Sequence, residues 1–379
     1  MRGARRTSSV RRRAARARQR RRWAFFSSLL GVGDIPDALR ALLKQVSRSF
    51  YLSLAILPAS LRGPISLAYL LARAADTIAD TRIIPQADRL RYLDLFRQEL
   101  EPPASSRLGE IIQAITSPQR IQAERDLLRC LPACFLLFHS LPVDDRGRIR
   151  GLILTLTHGM QEDLRTFPGE SHEDLLALES QADLERYTYY AAGCVGEFWT
   201  DMTMAHCPGL GRWDATVMRR RGMRFGQGLQ MTNVLRDLAH DFRIGRCYLP
   251  RQDLAKFDLT PNDLLDPGAL DRLRPLLNEL LRLTLEYYAE GFTYLLAIPR
   301  MEFRLRLACA WPLLIGLRTL ELVQRSRNLL DPHVTVKISR SAVYAIMVRS
   351  TLLAWSDGGL ERYYRELRNR IGAPSMAAQ

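Results

Sequence analysis

The residues in this sequence that are best placed to do chemistry are an arginine and two aspartates in the segment 64–81. Arg73, Asp76 and Asp80 stand among residues that are nearly all apolar or small. Side chains three and four apart share one face of a helix, so the three groups form one stripe. Charged groups on an apolar helix are costly to bury without partners, which favours a functional site. The alternative is a surface helix with a charged edge, although such helices rarely carry apolar residues on their other faces.

A second polar stripe lies about 160 residues downstream, in the segment 220–241. It again combines carboxylates with arginine in a segment of helical character. A single pair of aspartates four residues apart means little, whereas two such pairs with arginine indicate a shared site. The residues concerned are Gln230, Asn233, Asp237 and Asp241 on one face, Arg236 beside them, and Arg246 in the loop that follows.

The two stripes together carry the ligands of a metal–diphosphate site. Oxygen ligands without clusters of Cys or His suit a hard cation such as Mg²⁺, with Mn²⁺ as a substitute. Arg73, Arg236 and Arg246 supply planar forks that bind a diphosphate. These groups would neutralise a departing pyrophosphate and so drive ionisation of an allylic substrate. The apolar and aromatic surface between the stripes would shelter the carbocation from water.

Other catalytic classes fit these residues less well. Paired carboxylates also serve glycoside hydrolysis, in which one acid protonates the leaving group and the other attacks or activates water. Arginines beside the aspartates would hold every carboxylate ionised, which disfavours that reading. The sequence has no nucleophile elbow for serine or cysteine catalysis, and no glycine-rich phosphate loop follows a strand.

The segment 183–201 is a third candidate region. Tyr187, Tyr190 and Phe198 share a helix face, with Gly193 and Gly196 close by. Glycine lowers the stability of a helix interior. The two glycines therefore predict a kink, a close contact between helices, or space left for a ligand.

Long segments rich in Leu, Ala and Arg with helical spacing must position these residues. A hydrophobic share of 47% and a charged share of 25% are typical of a globular protein. We expect an all-α protein with a single large domain over residues 34–355, since no repeat or low-complexity linker divides it. Residues 356–379 are expected to form a polar C-terminal tail. The predicted helices include residues 86–100, 107–116, 119–139, 145–165, 268–297, 303–327 and 338–355.

Residues 1–33 differ from the rest of the chain. The first 22 residues contain eleven arginines and no acidic residue, so only +4 of the net charge of +15 belongs to the remainder. We expect such an extension to be disordered. No aromatic residue alternates with these arginines, which disfavours nucleic-acid binding. The apolar run from Trp23 to Gly33 has the outline of a signal sequence without an A-x-A-type cleavage site, and an interfacial anchor on an anionic membrane fits at least as well.

The six cysteines are scattered, without a C-x-x-C pair. This pattern indicates neither a disulfide framework nor a zinc site. We therefore expect a cytoplasmic protein, with the basic extension able to contact the inner face of the membrane. We also expect a monomer.

Several motifs, in the same order and spacing, resemble the squalene/phytoene synthase family over about residues 36–350. The most specific motif begins at Gln230 and continues through Asp241 to the Arg246–Pro250 segment. The other matching segments are Ser47–Phe50, Arg73 with Asp76–Asp80, and Tyr187–Gly196.

The resemblance implies a helical isoprenoid-synthase bundle with a central active-site cavity. It implies that Asp76, Asp80 and Asp237 act in catalysis and, with Asp241, bind Mg²⁺. Tyr187 matches a tyrosine that assists proton removal or guides the cation during cyclopropane formation. The implied diphosphate-binding residues are Arg48, Arg73, Arg236, Arg246, Gln230 and Asn233.

Within the family the segments 304–323 and 336–340 resemble the squalene synthases more than the phytoene synthases. We expect a bacterial type, since the C-terminal membrane anchor of the eukaryotic squalene synthases is not found in this sequence. Such an enzyme condenses two farnesyl diphosphates to presqualene diphosphate, and NADPH then reduces this intermediate to squalene. Ala308 replaces an aromatic residue of the eukaryotic enzymes, and NADPH use is implied by the resemblance alone. The alternatives are a phytoene, dehydrosqualene or presqualene diphosphate synthase without the reduction, and a non-catalytic relative that acts as an assembly factor. Retention of all four aspartates disfavours the last.

Overall fold

The computed structural model describes residues 35–47, 50–101 and 107–371, and this part of the chain is almost entirely helical. The prediction of an all-α protein is thereby confirmed. The helices are α1 (Asp37–Val46), α2 (Phe50–Ile56), α3 (Ala59–Asp80), α4 (Gln86–Gln98), α5 (Leu108–Thr116), α6 (Gln122–Ser140), α7 (Val143–Thr166), α8 (Gln181–Thr188), α9 (Cys194–His206), α10 (Ala215–Arg236), α11 (Leu238–Arg243), α12 (Arg251–Ala255), α13 (Leu270–Ala297), α14 (Phe303–Arg325), α15 (Arg340–Leu353) and α16 (Asp357–Asn369).

Short elements connect these helices. A π-helical turn, Tyr189–Gly193, joins α8 to α9. The two-residue strands β1 (Leu176–Ala177) and β2 (Arg246–Cys247) pair in parallel. Single 3₁₀ turns lie at His172–Asp174, Pro208–Leu210, Asn262–Leu265 and Pro267–Ala269.

Helix α10 lies at the centre of the bundle, where it packs against α9, α13 and α14. Glycines allow the close approach of α9 and α10. A Cβ atom on Gly196 would lie 1.9 Å from the carbonyl oxygen of Gly222, and one on Gly226 would lie 2.1 Å from that of Ala192. Side chains at these positions would push the helices apart. The sequence predicted a kink, a close contact between helices or space for a ligand at Gly193 and Gly196. The structure shows a close helix contact at Gly196, next to the π-helical turn.

Helix α3 is buried because apolar residues occur on most of its faces. It packs between α4, α6 and α7. Its first residue is Ala59, so Pro64 lies inside the helix. Proline costs one backbone hydrogen bond there. Burial of more than half of the helix's residues offsets that cost.

The predicted polar tail is wrong for residues 357–369, which form helix α16. Leu360, Tyr363, Tyr364 and Leu367 recur with helical spacing and are buried. Tyr364 stacks on Phe292 of α13, with ring centroids 4.1 Å apart. The surrounding charged residues concealed this amphipathic pattern in the sequence. The helical domain therefore extends past residue 355.

Helix α14 is long and apolar enough to cross a membrane by composition. Most of it, however, is buried inside the protein. Core helices of bundles share this property. The basic extension, residues 1–33, lies outside the described residues.

Candidate active site

A cavity of about 590 Å³ opens between α3, α7, the π-helical turn, α10, α11 and β2. All described residues predicted for the site line it, and Arg48 lies outside the described residues. The structure thus brings together both acidic stripes, although they are far apart in sequence. The predicted residues on its surface are Arg73, Asp76, Asp80, Tyr187, Gln230, Asn233, Arg236, Asp237, Asp241 and Arg246.

One side of the cavity, the α3 wall, consists of Arg73, Asp76 and Asp80. The Arg73 guanidinium forms an ion pair with Asp76, one turn further along the same helix. Its other terminal nitrogen donates a hydrogen bond of 2.6 Å to the Glu124 carboxylate on α6. Glu124 was not predicted, because a gap of 51 residues carries no periodic signal. Two carboxylates from different helices therefore orient Arg73.

A second part of the lining, the α11–β2 wall, consists of Arg236, Asp237, Asp241 and Arg246. The sequence predicted one continuous helix for its acidic stripe, but α10 ends at Arg236 and α11 begins at Leu238. Asp237 and Asp241 still lie one helical turn apart, because the backbone N–H of Asp241 donates to the carbonyl oxygen of Asp237 at 2.9 Å. The Asp237 carboxylate in turn accepts a 2.7 Å hydrogen bond from Arg236 Nε.

Arg246 reaches the cavity from a tight turn. Gly245 has φ +81°, a conformation that favours glycine, and a Cβ atom there would lie 3.0 Å from the Ser171 carbonyl oxygen. Directly after the turn, Arg246 pairs with Leu176 in the short parallel sheet. The backbone N–H of Leu178 donates to Cys247 at 3.0 Å. Turn and sheet together fix where Arg246 enters the site.

Asp163, near the end of α7, contacts both the arginine of the α11–β2 wall and a neighbouring tyrosine. Its carboxylate lies 3.1 Å from Arg246 Nη1. The Tyr248 hydroxyl donates to its other oxygen at 3.0 Å. Only 12% of the Asp163 side chain is exposed. The sequence analysis did not predict Asp163, although both of its partners, Arg246 and Tyr248, belong to the motif that ends at Pro250.

Tyr187 lies against this arrangement. Its ring stacks on Tyr248, with centroids 4.1 Å apart and planes inclined by 19°. The Gln230 side-chain amide donates a 3.0 Å hydrogen bond to the Tyr187 hydroxyl oxygen. Burial, and the nearby charge of Asp163, raise the pKa of Tyr187 well above its ordinary value. The side chain is therefore a neutral phenol in a fixed orientation.

The carboxylates are crowded enough to favour a bound cation. Loss of bulk water and the neighbouring Asp80 raise the pKa of Asp76 to about 7. Loss of bulk water and the neighbouring Asp237 raise the pKa of Asp241 to about 8. The expectation from the sequence that the arginines would hold every carboxylate ionised is therefore wrong for Asp76 and Asp241, because burial and a neighbouring carboxylate outweigh the arginines there. A divalent cation relieves such repulsion between like charges, and oxygen-only ligands match Mg²⁺.

Within the described part of the chain, no three Asp, Glu, His or Cys side chains lie close enough together to hold an ion by themselves. Mg²⁺ is held in many enzymes by one or two carboxylates together with waters and substrate phosphates. The residues present fit that mode of binding, in which each wall contributes carboxylates. They do not form a preassembled cage of four aspartates.

Further residues that were not predicted complete the cavity. Arg82, just past the end of α3, also lines it, and burial together with the nearby Arg246 lowers the pKa of Arg82. Apolar side chains of α7 and α10, among them Leu156, Met160 and Val234, line another part of it. The cavity therefore joins a charged region to an apolar one, which suits a substrate with an ionic head and a hydrocarbon chain.

The chain is similar in sequence to known proteins. A model of the squalene/phytoene synthase family matches residues 43–342. The squalene synthase of Eremothecium gossypii is 27% identical over 341 residues, which cover 87% of this chain and 71% of that protein. The bifunctional lycopene cyclase/phytoene synthase of Neurospora crassa is 30% identical over 251 residues, which cover 61% of this chain and 39% of that protein.

Solved structures share the fold. The complex of TcSQS with the ligand BPH1237 is similar with a TM-score of 0.73 at 23% identity, covering 91% of this chain and 94% of that one. A dehydrosqualene synthase with bound ligand is similar with a TM-score of 0.58 at 21% identity, covering 86% and 95%. At these identities the likeness shows the architecture alone.

Proposed function

We propose, because the chain belongs to the squalene/phytoene synthase family, that it is a Mg²⁺-dependent squalene synthase. It condenses two farnesyl diphosphates to presqualene diphosphate, which is then reduced to squalene with NADPH as hydride donor. The observation that supports this proposal most is the convergence of both acidic stripes, three predicted arginines and Tyr187 on one cavity.

The charged region binds the diphosphate. Arg73, Arg236 and Arg246 offer guanidinium groups to its oxygens, and the aspartates of both walls would hold Mg²⁺ against them. Bound Mg²⁺ supplies neutralisation of the negative charge on the leaving diphosphate. Because Glu124 and Asp163 also contact Arg73 and Arg246, these arginines stay oriented when the site is free of substrate.

The apolar region protects the cation formed by ionisation. Leu156, Met160 and Val234 exclude water from the hydrocarbon chain. Tyr187 presents a neutral phenol beside them, and its raised pKa favours guidance of the cation over action as an ionised base. Its stacking on Tyr248 keeps the hydroxyl in one place.

A second candidate is a phytoene or dehydrosqualene synthase, in which the intermediate loses a proton and no hydride donor is needed. The 30% identity to the bifunctional lycopene cyclase/phytoene synthase of Neurospora crassa supports this second candidate. The non-catalytic alternative is weaker, because all four aspartates line the cavity.

Product analysis tests these proposals. The full chain is incubated with farnesyl diphosphate and Mg²⁺, with and without NADPH, and the lipids are extracted. Squalene formed only with NADPH supports the proposal, whereas dehydrosqualene under both conditions contradicts it. Phytoene from geranylgeranyl diphosphate in a parallel incubation would favour the second candidate. Accumulation of presqualene diphosphate would assign a partial reaction.

A further inference from the structure

An exposed apolar stripe runs along α15, away from the cavity. Tyr344, Val348 and Leu352 are spaced four residues apart, and they are 62%, 63% and 75% exposed. Trp355 follows directly after the helix and is 52% exposed. Residues at this spacing lie on one face, about 12 Å long at 1.5 Å per residue. We call these four residues the α15 face.

The α15 face is not the side on which the helix packs. Ile346 and Ser350 are the buried residues of α15. Met347 packs against a small cluster of Leu307, Trp311 and Ala354. The helix is thus already anchored on α14. Trp355 stacks on Phe303 of α14, with ring centroids 4.6 Å apart, while about half of the residue stays exposed. Tyr344, Val348 and Leu352 are not among the buried residues of the helix. Large apolar residues grouped on a surface mark an interaction site.

The segment that carries the α15 face has charges of one sign. No acidic residue occurs between Asp331 and Asp357. Lys337 and Arg340 are exposed at the start of this segment. Arg349 is the third basic residue, and it pairs with Glu366 at 2.6 Å. The surroundings of the face therefore attract an anionic surface.

We infer that the α15 face docks into the headgroup region of an anionic lipid bilayer. Tyr and Trp favour that region because their rings are apolar and their tips polar. Val348 and Leu352 would enter the acyl boundary, while Lys337 and Arg340 contact anionic headgroups.

The charges disfavour the other occupants of this face. In a symmetric dimer each basic segment would face its own copy, so like charges would repel. The chain's own extension carries eleven arginines in its first 22 residues and has the same sign as the face. An anionic bilayer alone matches both the apolar residues and the charge. Docking of this kind is independent of the proposed reaction.

Vesicle binding by the full chain tests the inference. Co-sedimentation is measured with vesicles of phosphatidylcholine alone and with vesicles that contain phosphatidylglycerol. Combined Tyr344→Ser, Val348→Ser and Leu352→Ser changes are expected to lower the partition coefficient about 10–100-fold, since the lost side chains contribute apolar transfer. Combined Lys337→Gln and Arg340→Gln changes should lower it about fivefold per charge on the anionic vesicles only.

A matched variant replaces exposed apolar residues elsewhere, Ile121, Leu136 and Val143, with serine. It is expected to bind like the unchanged chain. Circular dichroism verifies that every variant is folded. Equal loss of binding in this control, or no loss in the α15 variant, would overturn the inference.

Because the basic extension can also attract anionic vesicles, insertion is measured at the α15 face itself. Tryptophan fluorescence is measured with and without brominated lipids for the unchanged chain and for Trp355→Phe. The fluorescence difference between the two proteins is the contribution of Trp355. Quenching of that difference signal supports the inference. An unquenched Trp355 in vesicle-bound protein overturns it, as does a dimer in sedimentation velocity that the α15 variant abolishes.

Discussion

The α3 wall and the α11–β2 wall present similar groups to one cavity but hold them in different ways. The α3 wall is a single uninterrupted helix, so helical spacing alone aligns Arg73, Asp76 and Asp80. The α11–β2 wall contains a helix break at Asp237 and a turn before Arg246. A short sheet and the Asp163 carboxylate, both contributed by distant segments, support it. Local structure is therefore enough for one wall, while the other depends on tertiary contacts.

The largest expected effect tests whether the aspartates of both walls are equally necessary for turnover. Asp80→Asn and Asp237→Asn are each expected to lower turnover of farnesyl diphosphate by about 10²–10³-fold, because each removes a charge that opposes the leaving diphosphate through the metal. Steady-state kinetics at saturating Mg²⁺ measure this effect. The melting temperature should stay near that of the unchanged chain, and unchanged activity in either variant would remove its metal assignment.

A smaller effect tests whether the α11–β2 wall depends more than the α3 wall on contacts with distant residues. Asp163→Asn is expected to lower kcat/KM about 10–100-fold, since partners that orient a binding group contribute at this level. Most of the change should be in KM, because Arg246 loses its charged partner and binds diphosphate less well.

Glu124→Gln is the matched variant for this comparison. Arg73 keeps Asp76 and its place on a continuous helix, so kcat/KM should fall less than tenfold. If Glu124→Gln proved as harmful as Asp163→Asn, the distinction between the two walls would be wrong.

The smallest effect is on stability. Gly245→Ala is expected to lower the free energy of unfolding by about 1–2 kcal/mol, because alanine is strained in the left-handed conformation. Denaturant unfolding measures the change, and KM for farnesyl diphosphate should rise as Arg246 is displaced.

Gly147→Ala in α7 provides the control, because a Cβ atom there meets nothing within 4 Å. It should raise stability by about 0.5–1 kcal/mol, since alanine favours the helix interior. If both variants changed the free energy of unfolding equally, the left-handed conformation of residue 245 would not be costly for alanine.

Helical spacing in the sequence was enough to predict most of the bundle. The predicted segments 268–297 and 303–327 correspond closely to Leu270–Ala297 and Phe303–Arg325. Two predictions failed, the polar tail and the continuous helix through Asp237. The tail carries apolar residues at helical spacing, but charged residues surround them, and the Tyr364–Phe292 stacking that buries this face joins residues far apart in sequence. The helix break at Asp237 has no signal in the spacing of its neighbours.

The sequence by itself determined the helical class and the residues of both acidic stripes, because helix formation and side-chain spacing are local properties. Only the tertiary structure decided that the two stripes line one cavity. It also decided the roles of Glu124 and Asp163 beside the arginines, and the stacking of Tyr187 on Tyr248. Asp163 of α7 and Tyr248, directly after β2, form a hydrogen bond across 85 residues, a contact that no local pattern encodes.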